Sequence, residues 1–109
     1  MVTARARLEF PATGAEHRLA AVRVRVEDVS RADASARVVG ESELDDVVVP
    51  ADGLSLEVDV EYPEPRDGAA LTVRAHGSVD GEDTFAAGDF LSTVSTPPAP
   101  TVDLALRPI

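Results

Sequence analysis

The sequence contains no cysteine, lysine, asparagine, glutamine or tryptophan. Without cysteine there are no disulfides, thiolate metal ligands or thiol nucleophiles, although this absence leaves the cellular compartment open. Lysine, asparagine and isoleucine have AT-rich codons, and the only isoleucine is Ile109, so the composition indicates a high-GC bacterium, with a salt-adapted organism as the alternative. No apolar run approaches the roughly 20 residues of a membrane span. We therefore expect no direct membrane insertion by this chain.

Positive charge is also scarce. All ten basic residues are arginines, and 20 acidic residues leave a formal net charge of −10. A negative surface repels phosphate backbones and anionic lipid, which disfavours nucleic-acid and membrane-surface binding but leaves basic partners open. Because the only aromatic residues are Phe10, Tyr62, Phe85 and Phe90, the core favours sheet packing over a large cofactor pocket. We expect no cofactor.

The amino-terminal residues carry no export signal as written. Met1 is followed by V-T-A-R-A-R-L-E-F, which has no apolar segment, and the chain has no Cys that could accept a lipid. The sequence as written therefore predicts a cytoplasmic protein. Residues preceding Met1 in the native protein would change this expectation to the cell envelope.

What the chain does contain is a strict alternation of apolar and polar residues. Val22, Val24 and Val26 alternate with arginine and glutamate, and the stretch from Leu54 to Tyr62 alternates most clearly. A period of two predicts half-buried strands. The expected strands are Val2 to Phe10, Arg18 to Val29, Arg37 to Leu44, an edge segment at Val47 to Val49, Leu54 to Tyr62, Ala70 to Val79, Thr84 to Ser92 and Val102 to Leu106.

Turn signals rich in proline, glycine and aspartate separate these strands, and no segment predicts a helix of useful length. About seven short strands spaced in this way predict an all-β fold, an antiparallel two-sheet β-sandwich. No linker divides the chain, so residues 1–109 are expected to form one domain.

A polar corner follows the second expected strand. Asp28, Ser30 and Asp33 have side chains that can bond nearby backbone groups and hold a turn. A serine nucleophile is disfavoured, because the block contains no histidine and no glycine-flanked elbow around Ser30. We expect these residues to be structural, with no catalytic residues here.

This corner belongs to a longer pattern that resembles a known family. The block from Val24 to Ala34 follows an F-P-A-T-G-A loop and precedes Val49-Pro50, a D-G-E-D-T-F hairpin and a closing V-x-L-x-L strand. Together these features resemble the YbaY-type lipoproteins, the family that includes the YscW-type pilotins of type III secretion. The chain departs from the family pattern because it contains no signal peptide and no lipid-accepting Cys.

The resemblance implies an immunoglobulin-like β-sandwich in the cell envelope, usually lipid-anchored and not an enzyme. For pilotins it implies chaperoning or targeting of an outer-membrane secretin. The resemblance therefore predicts a protein partner and a cell-envelope location, in addition to the fold that the alternation predicts.

The remaining polar residues do not indicate a metal site or a catalytic site. His17 and His76 have no nearby ligand in sequence, His76 is expected on the outward side of its strand, and no metal site is expected. The acidic group around Gly81 lacks the ligand spacing of a calcium loop, and the run from Glu41 to Asp46 is typical of a solvated face. In so acidic a chain, a pair of carboxylates is not evidence for glycosidase activity unless a pocket holds the pair.

We expect a non-enzymatic domain that binds a protein partner or a second copy of itself through a sheet edge. The predicted edge is Val47, Val48 and Val49, beside Pro50, which cannot donate to a ladder. The alternatives are an accessory structural domain without a dedicated ligand and a small carbohydrate-acting hydrolase.

Overall fold

The computed structural model describes residues 1–30, 36–65, 68–94 and 101–109. The described residues contain no helix that is long and apolar enough to cross a membrane. The strands are β1 (Val2–Phe10), β2 (His17–Asp28), β3 (Arg37–Val49), β4 (Leu54–Tyr62), β5 (Leu71–Ser78), β6 (Phe90–Val94), β7 (Thr101–Ala105) and β8 (Arg107–Pro108).

These strands form two sheets. The smaller has the order β4-β1-β7, and the larger has the order β3-β2-β5-β6-β8. Pairing among the described strands is antiparallel, apart from β1 and β7, which run parallel. The expected all-β two-sheet sandwich is confirmed.

The core lies between the sheets and comes from the apolar half of each alternating strand. In β2, Val22, Val24 and Val26 are fully buried, while the polar residues between them lie on the outer face of the larger sheet. Leu8 of β1 and Phe90 of β6 fill the space between the sheets. Burying one such side chain stabilises the fold by about 1.5–3 kcal/mol.

Two sequence-based strand boundaries are wrong. β3 is one strand of 13 residues that continues through the acidic run to Val49, because the arginines of β2 lie opposite glutamates of β3 and offset their repulsion. The expected strand from Thr84 to Ser92 instead begins at Phe90. The residues before it form a loop, 79–89, which folds over the outer face of the larger sheet.

The edge strands β3 and β4 approach each other on one side of the sandwich. Ser42 Oγ donates a hydrogen bond to the carbonyl oxygen of Asp59, 2.5 Å away. A Cβ atom at Gly40 would lie 2.4 Å from the carbonyl oxygen of Glu61, so only glycine allows this approach. The two sheets are therefore drawn together near the start of β3.

Candidate functional site

The segment Val47–Val49 lies at the carboxyl end of β3, which is an edge strand of the larger sheet. The side chain of Val49 is fully buried in the core, whereas Val48 is 43% exposed and Val47 is half-buried. These residues pair with His17 to Leu19 of β2. On its other side β3 has no backbone hydrogen bond to a strand in the described part of the chain.

A change in backbone conformation marks the start of this segment. Asp46 has a φ of 53°, a left-handed conformation that few residues other than glycine adopt and that aspartate tolerates better than most. Beside it lies an open cavity of about 260 Å³, lined by Arg18, Leu19, Ala20, Asp46, Val47, Val48 and Val79. This cavity contains one carboxylate, so it does not supply the pair that a glycosidase needs.

The middle of β3 carries acidic side chains that face arginines of β2. Glu43 lies opposite Arg23 with a closest N–O distance of 3.0 Å, and Glu41 lies opposite Arg25 at 2.5 Å. Both arginines also contact the 79–89 loop. Each forms an ion pair with Asp83, at 3.3 Å from Arg23 and 2.8 Å from Arg25. The hydrogen bond from Arg25 holds the pKa of the Asp83 carboxyl below its usual value.

The same loop covers His76. The imidazole is only 4% exposed, although it lies on the outer face as its position in the alternation predicts. Its Nε2 lies 2.8 Å from Oδ2 of Asp89, and the ring of Phe85 packs edge-on with centroids 4.8 Å apart. No ligand lies near His76 in sequence, as expected, but the loop brings Asp89, 13 residues further along the chain, back over the sheet as its partner.

Asp89, the last residue of this loop, is hydrogen-bonded to the start and the interior of the loop as well as to His76 of β5. Its Oδ1 accepts the N–H of Val79 at 2.9 Å, and its Oδ2 accepts the N–H of Ala86 at 3.0 Å. Because an ionised carboxylate only accepts hydrogen bonds, we assign the shared proton to Nε2 of His76. The side chain of Asp89 is fully buried, so these three donors replace its water shell.

Nothing in the sequence marked Asp89 as a functional or structural centre. The D-G-E-D hairpin signal located a turn, but the loop runs further than that signal indicates. An acidic residue preceded by glycine and followed by phenylalanine was the only available cue. Neither this pair nor His17, which contacts Oγ1 of Thr13 at 2.6 Å, belongs to a cluster that could hold a metal among the described residues.

The corner after β2 connects to the residues before β5. Oδ1 of Asp28 accepts the N–H of Ser30 at 2.9 Å, and Oγ of Ser30 accepts the N–H of Ala70 at 2.7 Å. The N–H of Val29 donates to the carbonyl oxygen of Ala70. The expected corner residue Asp33 lies outside the described residues. Asp28 and Ser30 therefore lie at a polar connection beside the start of β3, where Asp28 pairs with Arg37, and away from the Val47–Val49 segment.

The fold and this site define a small two-sheet β-sandwich with an exposed edge strand. A model of the family described as the type III secretion system lipoprotein chaperone (YscW) matches residues 1–106. The chain belongs to this family, which confirms the resemblance seen in the sequence. None of the curated protein sequences matches the chain.

A solved structure has the same fold. It is that of an alternative pilotin from the type II secretion system of Vibrio cholerae, with a TM-score of 0.65 and 20% sequence identity. The alignment covers 99% of this chain and 96% of the pilotin. The family is one of secretion chaperones, which supports a protein-binding role related to secretion, and the solved structure supports the fold.

Proposed function

We propose that this domain is a secretion chaperone that captures a protein partner by adding one of the partner's strands to the outer edge of β3 at Val47–Val49. The observation that carries the proposal is an apolar edge segment whose outer side has no neighbouring strand among the described residues. Main-chain hydrogen bonds along such an edge provide affinity, and side-chain pockets provide specificity.

The geometry of β3 limits strand addition to its carboxyl half. Near Gly40 and Ser42 the strand lies against β4, which restricts access there. Beyond Asp46 the exposed side chain of Val48 borders the open cavity of about 260 Å³. An incoming strand can therefore place one apolar side chain in this cavity while its backbone pairs with β3.

Replacement of Val48 by lysine is expected to abolish partner capture and leave the monomer folded. The side chain is 43% exposed, and substitutions at exposed positions usually change stability by no more than about 0.5 kcal/mol. The measurement is affinity capture from soluble and envelope extracts of the source bacterium, with circular dichroism to verify folding.

Val38→Lys is the matched control, because Val38 is 45% exposed at the opposite end of the same strand. It should retain the partner. Equal capture by the Val48→Lys variant and the wild type would remove the proposal. If the wild type captures no stoichiometric partner, an accessory structural domain without a dedicated ligand becomes the better-supported function.

We also propose that the protein acts in the cell envelope, because its family is one of lipoproteins. The coding sequence upstream of the Met1 codon is expected to encode an apolar segment that ends in a cysteine. Finding that the Met1 codon is the native start would contradict this location and direct the search for the partner to the cytoplasm.

A further inference from the structure

We propose that the strand accepted by β3 is basic, with lysine or arginine at alternate positions, and that the same charge pattern opposes pairing of β3 with a second copy of itself. This inference rests on the proposed strand addition and specifies its partner. Its basis is the order of charges across the outer face of the larger sheet.

On this face, residues of opposite charge already lie opposite each other on β2 and β3, the last two strands of the sheet. Arg23 and Arg25 of β2 lie opposite Glu43 and Glu41 of β3. A further strand beside the carboxyl half of β3 would place its own side chains opposite Glu43 and Asp45. Cross-strand neighbours of opposite charge stabilise a sheet, and like charges at the same positions destabilise it. The next strand is therefore expected to be positive.

The acidic residues of β3 are only partly neutralised from within the chain. Arg23 also donates hydrogen bonds to the carbonyl oxygens of Gly81 and Glu82, and both arginines share Asp83 of the 79–89 loop. Their positive charge is thus divided between β3 and the loop. Negative charge consequently remains on the face that a partner strand would meet.

Asp45 extends the acidic row toward the proposed binding segment. It follows Glu41 and Glu43 at a spacing of two residues, is exposed, and lies opposite the uncharged Ala21 of β2. Neither Asp45 nor Asp46 forms an ion pair within the part of the chain that the structure describes. A basic residue from a partner would provide Asp45 with the counter-charge that β2 does not.

The positions between these acidic residues indicate what the alternate residues of the partner should be. Leu44, and Val47 beyond the acidic row, are half-buried and pack against the core. Residues of the incoming strand beside them should be small or apolar. The expected partner segment therefore alternates basic and apolar residues along its length.

Self-association through the same edge would be opposed by repulsion between like charges. Antiparallel pairing of two β3 strands about a twofold axis near Asp45 would bring Glu43 and Asp45 of each copy close together. Each chain already has a formal net charge of −10. Strand addition from a basic partner is therefore favoured over a β3–β3 dimer.

The test uses three synthetic strand peptides, in which valine alternates with lysine, threonine or glutamate. Titration at low ionic strength, with hydrogen exchange of the β3 amides, measures affinity and location. The lysine peptide should protect β3 and bind about tenfold or more tightly than the threonine peptide. The glutamate peptide should bind most weakly, and added salt should reduce the differences.

Asp45→Lys and Asp103→Lys separate a local effect from general attraction, because each raises the net charge equally, from −10 to −8. Asp103 lies on β7, in the other sheet. Only Asp45→Lys should weaken binding of the lysine peptide several-fold. Equal weakening by both variants would overturn the inference.

The outcomes also distinguish this inference from the function on which it rests. Equal affinity of the lysine and threonine peptides, with protection of β3 by both, overturns the basic partner and leaves strand addition standing. Absence of β3 protection by every peptide overturns both. A dimer in sedimentation velocity that Val48→Lys abolishes would overturn the claim that β3 opposes its own pairing.

Discussion

Replacement of Asp89 by alanine is expected to lower the free energy of unfolding by about 3 kcal/mol, the largest single effect that we anticipate in this protein. The carboxylate accepts hydrogen bonds from the N–H groups of Val79 and Ala86 and from Nε2 of His76. Alanine leaves these donors without their acceptor beneath the loop, and each unsatisfied buried group costs about 1–3 kcal/mol. Loss of the 79–89 loop from the sheet should accompany the destabilisation.

Thermal and urea denaturation followed by circular dichroism measure this change, which corresponds to a decrease in Tm of roughly 10–20 °C. Asp103→Ala is the control, because its side chain is 76% exposed and its contact with Arg7 is 3.7 Å long. Exposed pairs contribute about 0–1 kcal/mol. Similar small losses in both variants would show that Asp89 does not hold the loop.

Acid titration provides a second readout of the same side chain. Burial opposes ionisation, but the hydrogen bonds from Val79, His76 and Ala86 outweigh it and hold the pKa of the Asp89 carboxyl below its usual value of 3.8. The resulting stabilisation is fully present above that value and is lost as the pH falls through the lower pKa of the folded state. The Asp89→Ala variant should therefore lose less free energy of unfolding than the wild type between about pH 4 and pH 2.

Replacement of Gly40 by alanine is expected to lower the free energy of unfolding by about 2–3 kcal/mol. The added Cβ would lie 2.4 Å from the carbonyl oxygen of Glu61 and 2.9 Å from the Cβ of Tyr62. Because the first of these atoms is backbone, β3 and β4 must move apart to relieve the contact. The side of the sandwich where the two sheets meet should open.

Gly77→Ala is the matched comparison, since Gly77 also lies in a strand of the larger sheet. Its added Cβ would meet a terminal methyl group of Leu19 at 2.9 Å, and a side-chain methyl can rotate away. Urea denaturation should give a loss about 1 kcal/mol smaller for Gly77→Ala than for Gly40→Ala. An equal or larger loss at Gly77 would contradict the assignment of Gly40 as the point of closest approach.

Part of the candidate site could be predicted from the sequence. Three consecutive valines before Pro50 indicated an edge segment, and β3 is an edge strand. The left-handed backbone at Asp46 and the cavity beside Val48 could not be predicted, because both depend on how β2 and β3 pair locally and on where Val79 lies. The partial neutralisation of the β3 glutamates could not be predicted either, because it depends on the 79–89 loop, about 40 residues away in sequence.

The sequence alone determined where the clearest strands lie and which of their faces is apolar. Predicted and observed bounds agree for Val2–Phe10 and Leu54–Tyr62, because the alternation of side chains is a local property of the pleated backbone. The family membership was likewise evident from the order of short motifs. Both kinds of information are carried by residues that are neighbours in the chain.

Only the tertiary structure decided which strands meet and what covers them. The parallel pairing of β1 with β7 joins Arg5 to Thr101, and no local pattern specifies a contact over that distance. His76 obeyed the alternation and was nevertheless buried, because the path of the 79–89 loop, and not the strand itself, determines whether the outer face meets water. Local periodicity fixes which face a side chain occupies, whereas burial and binding depend on segments that are distant in sequence.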